Sequence, residues 1–128
     1  MLDFDGTTDE EAVFRGVMPS HYSGGGITAI VTVMFTSATS GTANVELSLE
    51  RGNRDADSDS FAAMTDGSVV PNGTSGVRTQ VSIPISNDDG ITAGDNFRLK
   101  MRRDADGTNG TDDITSDMEL VAIELRET

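Results

Sequence analysis

The only histidine in the chain, His21, lies between Ser20 and Ser23. A Ser-His-Asp arrangement needs a serine hydroxyl on the imidazole and a carboxylate behind it. Near neighbours in sequence rarely reach that geometry, and no nucleophile motif surrounds either serine. His21 therefore reads as a loop residue. Cysteine is absent, which excludes disulfides, thiolate nucleophiles and sulfur-ligated metals. Paired carboxylates can cleave glycosides, and the chain has 22 acidic residues. Sugar sites lay aromatic rings under their ligand, however, and Tyr22 is the one tyrosine beside no tryptophan. That counts against both glycosidase and carbohydrate-binding readings, and no catalytic residues are assigned.

Asp55, Asp57 and Asp59 have the alternate spacing that begins a calcium loop. The pattern then departs: Ser60 stands at the turn-glycine position and Asp66 at that of the bidentate glutamate. A second acidic loop carries Asp104, Asp106, Asn109, Asp112 and Asp113. Solvated, turn-forming aspartate is the reading for both loops. No cofactor is expected, and Ca²⁺ at Asp55, Asp57 and Asp59 is kept as the alternative. The one basic concentration is Arg98, Lys100 and Arg102, extended by Arg103. On a strand it forms a stripe on one face, suited to pairing with acidic groups of a neighbouring strand or subunit.

The elements that must carry these residues read as strands. Residues 27–36 (ITAIVTVMFT) are β-branched and aromatic, with Ile27, Ala29, Val31, Val33 and Phe35 on one face. Residues 42–50 alternate, with Ala43, Val45, Leu47 and Leu49 inward and Asn44, Glu46, Ser48 and Glu50 outward. Residues 77–85 alternate again, and Pro84 removes a ladder donor, which predicts a free edge there. Residues 96–103 put Phe97, Leu99 and Met101 inward. Residues 11–18 and 118–126 give a first and a last strand, with a helix as the rival for the last. Phe61–Met64 suggests one short helical turn in the irregular stretch 51–76. Alternating runs joined by Gly-rich turns predict an all-β fold, an antiparallel β-sandwich of jelly-roll type with about eight strands.

Apolar residues occupy both faces of two strands: Ile30 and Met34 in the first, and Met118, Leu120 and Ala122 in the last, opposite Val121, Ile123 and Leu125. One face of a sandwich sheet normally meets water. Either a subunit interface or another part of the same chain covers that second face.

The 128 residues suit one domain. Residues 1–10 read as an extended arm ahead of a sandwich at 11–128. In that arm Leu2 and Phe4 share one face, spaced for adding to a partner's sheet. The net charge of -13 opposes nucleic-acid binding. No apolar run approaches the ~20 residues of a membrane span, so no membrane partner is expected. The acidic start at residues 1–5 lacks the basic and apolar regions of a signal peptide, which predicts synthesis and use without Sec export.

A resemblance adds to this reading. Leu2-Asp3-Phe4-Asp5 with Thr8-Asp9-Glu10, the strand around Phe14, and Pro19-x-x-Tyr22-x-Gly24-Gly25 before a β-branched strand resemble small jelly-roll capsid decoration (cement) proteins of tailed bacteriophages. Arg103-Asp104 and the closing Leu120-Val121-Ala122-Ile123-Glu124-Leu125 fit the same pattern. These motifs carry no catalytic signature. The resemblance implies a structural virion protein, a homotrimer made in the host cytoplasm that binds the major capsid protein on the outer capsid surface. The alternative is a fibre-tip or receptor-binding jelly roll. The residues expected at a partner are Leu2, Phe4, Ile30, Met34, Met118, Leu120, Arg98, Lys100 and Arg102.

Overall fold

Alternation of inward apolar with outward polar side chains is what a strand needs to bury one face. In the computed structural model, which describes residues 1–52 and 60–128, the alternating segments form β1 (Leu2–Phe4), β2 (Glu10–Val17), β3 (Ile27–Phe35), β4 (Ala43–Arg51), β5 (Thr65–Val69), β6 (Thr79–Ile85), β7 (Asn96–Arg103) and β8 (Met118–Glu127). One sheet has the order β1-β8-β3-β6 and the other β2-β7-β4-β5, and every pairing is antiparallel. The chain changes sheet at every connection except that from β4 to β5. First pairs with last, second with seventh, third with sixth and fourth with fifth, as in one long hairpin folded over into two layers.

The expected all-β sandwich is the observed architecture. Its interior is one cluster fed by both sheets: Val31, Val33, Phe35 and Met118 from one side, Val45, Leu47, Leu49 and Met101 from the other. Each such side chain, fully buried, contributes about 1.5–3 kcal/mol. The last segment is strand, because its apolar residues pack across β3 in register from Ile27↔Glu127 to Phe35↔Met118. β6 is an edge strand, as Pro84 requires. Phe61–Met64 forms no helical turn. Instead the chain enters β5, where Gly67 lies under Ile83 of the other sheet. A Cβ there would meet the Ile83 Cδ1 at 2.4 Å.

The second apolar face of β8 has a specific resolution. Thr32 pairs with Ala122 but Val33 with Leu120, so Val121 is the extra residue of a bulge. The bulge reverses the alternation. Met118 and Leu120 before it, and Ile123 and Leu125 after it, all turn toward the core. The face-to-face opposition expected for this strand does not occur, and it implies no second burial surface.

β1 is short but integral. Leu2, Asp3 and Phe4 pair with Leu120, Glu119 and Met118, and Phe4 is 2% exposed. Within the segment expected as an arm, Leu2–Phe4 thus form the edge of the first sheet.

Candidate functional site

The outer face of the β2-β7-β4-β5 sheet gathers the charged side chains. Antiparallel register sets Glu46 opposite Arg102, Ser48 opposite Lys100 and Glu50 opposite Arg98. Arg98 donates from Nε and Nη2 to Glu50 at 2.7–2.9 Å. Arg102 donates from Nε to Glu46, whose other oxygen accepts from Asn109 Nδ2 at 2.8 Å. Phe61 lies over this face, its ring centroid 4.3 Å from Lys100 Nζ and 4.9 Å from the Arg98 guanidinium. Under that cover Glu46 and Glu50 are each only 2% exposed. Alternation had placed them outward, and outward here means beneath a loop rather than in water. Burial pushes the Glu50 pKa up, but hydrogen bonds from Arg98 and from the Ser60 backbone and hydroxyl prevail and hold it below the usual range. The Glu46 carboxylate raises Arg102. Arg98 and Arg102 therefore meet partners within their own chain, and Lys100 packs against Phe61.

Arg103 and Asp104, at the end of β7, anchor the loop that follows. Arg103 is 0% exposed and grips Asp112 with Nε and Nη2, both at 3.0 Å. It also donates to the carbonyl oxygens of Phe4, Ile114 and Ser116. Asp104, equally buried, accepts from Asn44 Nδ2 and from the backbone N–H groups of Asn109 and Gly110 at 2.9–3.1 Å. Burial opposes its ionisation, yet those donors win and hold its pKa down at about 2. Gly110 is needed for this closeness, since a Cβ would stand 2.5 Å from the Asn44 amide.

Asp9, Asp104 and Asp106 bring carboxylate oxygens within 4.8 Å of one another, an oxygen-rich set of the kind hard cations take. The oxygens already accept from within the chain: Asp106 from Thr108, and Asp9 from the Asp106 backbone. Sequence spacing found Asp104 and Asp106 but not Asp9, which arrives from the β1–β2 connection. Asp55, Asp57 and Asp59 lie outside the described residues.

A third region is an open groove of ≈ 620 Å³ where the sheets splay beside β8. Leu2, Phe14, Phe97, Leu120, Ile123 and Leu125 line it. His21 is exposed, and Ser23 donates its hydroxyl to Glu127 rather than to the imidazole. Ser23 and Gly25 together hold the Glu127 carboxyl below its ordinary pKa.

The expected partner residues divide accordingly. Phe4, Met118 and Leu120 are core residues of their own chain, placed there by β1 pairing and the Val121 bulge. Their side chains are 0–6% exposed, with Leu120 at the wall of the groove. Leu2 is 45% exposed at the groove. Ile30 and Met34 are half-buried on the outer face of the first sheet, where Ile30 sits between Ser82 and Glu124 and Met34 lies near Met1, Val77 and Val121.

Comparison with known proteins finds no matching family model, no matching curated protein and no matching solved structure.

Proposed function

We propose that this chain is a structural virion protein that binds the outer surface of a capsid and stabilises the shell, without catalysis. The observation that carries the reading is the strand pairing. First-with-last to fourth-with-fifth pairing across two four-stranded sheets supports a jelly-roll description, an architecture used by capsid domains. A fold hosts many functions, so the sequence resemblance supplies the virion role and the strand order supports it. The mechanism in this reading is contact rather than chemistry: a sandwich whose Arg98, Arg102 and Arg103 are held in internal ion pairs, presenting strand edges and half-buried apolar groups to the shell. The major capsid protein is the partner, and the outer capsid surface the location. A homotrimer is the stoichiometry the resemblance implies.

The test is particle stability. Virus particles lacking this protein should release their genome at a lower temperature than complete ones, and added purified protein should restore the difference. Unchanged release temperature, with loss of attachment to host cells, would favour the fibre-tip alternative instead.

A further inference from the structure

β8 has ten residues, but β1 pairs with only the first part of it, from Met118 to Leu120. From Val121 to Glu127, no strand among the described residues pairs with β8 on the side away from β3. Thr128 N–H donates to the Gly26 carbonyl at 3.0 Å. In an antiparallel ladder, successive residues turn their N–H and C=O groups to opposite sides. Counting back from Thr128, it is Ile123, Leu125 and Glu127 that turn theirs to the open edge. Exposed edges of this kind are templates for strand addition.

We propose that the open stretch of β8 pairs with the same stretch of a second copy of this chain, antiparallel about a twofold axis at Leu125. The first sheet would then run continuously through both copies. Charge chooses the register. Centred on Leu125, Glu124 stands opposite Arg126 of the partner subunit, and Arg126 opposite Glu124 of the partner subunit. Both side chains are exposed on the outer face, where among the described residues they pair with each other. Centring on Glu124 or on Arg126 would set like charges face to face, which is unfavourable. Centring on Ile123 would run the second copy onto the lane that Leu2 occupies beside Leu120. The Leu125 register also leaves Glu127 opposite Ile123, with its carboxylate satisfied by Ser23 and Gly25 of its own chain. Self-complementary pairing of one patch is what a twofold contact requires. This inference rests on β8 alone and not on the shell-binding role, and its symmetry differs from the trimer of the resemblance.

Sedimentation equilibrium on the full chain at about 50 μM tests it by mass action. The wild type should show twice the 13.5 kDa chain mass. Glu124→Arg and Arg126→Glu each oppose like charges across the axis and should weaken the dimer roughly tenfold or more. The double exchange E124R/R126E should restore it. An equal mixture of the two single variants should also dimerise, because each supplies the other's missing charge. Circular dichroism should show all variants folded, since both positions are on the surface. A monomeric wild type, a trimer, or folded single variants with unchanged mass would overturn the proposal. The mixture separates a specific pairing from general charge effects, because no change in the environment of either variant alone would make it dimerise.

Discussion

Arg103 shows what the end of β7 is built around. Its guanidinium meets Asp112 and three carbonyl oxygens, tying β7 to β1 and to residues 112–116. Replacing it with methionine leaves Asp112 buried without its cation, and breaking such a pair costs about 3–5 kcal/mol. Urea unfolding of Arg103→Met should show that loss, and Arg103→Met with Asp112→Leu should recover part of it. Asp104 gives a separate, pH-dependent signature. Its folded pKa of about 2 lies below the model-compound value of 3.8, so it favours the folded state once ionised. That contribution is complete above the unfolded value and is lost as pH falls through the folded one. Melting temperature measured from pH ~5 to ~2 should therefore fall more steeply in the wild type than in Asp104→Asn, which has no carboxylate to protonate.

At the scale of single elements, Phe4 turns β1 from an appendage into part of the fold. With 2% exposure, its truncation to alanine should cost about 3–5 kcal/mol, measured by chemical denaturation. An unchanged midpoint would return residues 1–10 to the status of a detachable arm. Much of the element order was legible because β3, β4 and β7 alternate cleanly and Pro84 marks an edge. Three things were not. β5 is Thr-Asp-Gly-Ser-Val, a weak strand sequence whose glycine is required by the approach of Ile83. The β8 bulge leaves composition untouched. Its only trace is the adjacent pair Leu120-Val121, where apolar phase changes face. Glu46 and Glu50 were assigned to the correct face, but alternation says nothing about what covers a face. The cover comes from Ser60 and Phe61 in the β4–β5 connection and from Asn109 in the loop after β7. The basic stripe was legible as a pairing surface because its spacing matches that of the β4 carboxylates.

For the whole molecule, the contrast is between sealed and open regions. The charged face of the second sheet is closed by Phe61 and by the loop after Asp104, whereas the far half of β8 and the groove beside it stay open. A net charge of -13 opposes association of copies at low salt, so any contact between them must draw on shape and local pairing along such an edge. The assembly reading joins these features: rigidity from internal ion pairs, and adhesion from exposed strand and half-buried apolar surface. Its central claim is the location of the protein. Mass spectrometry of purified virion fractions, heads separated from tails, from the source that encodes this chain tests that claim most directly. The account predicts the chain in the head fraction in copy numbers comparable to the major capsid protein. Recovery in the tail fraction alone, or absence from particles altogether, would contradict it.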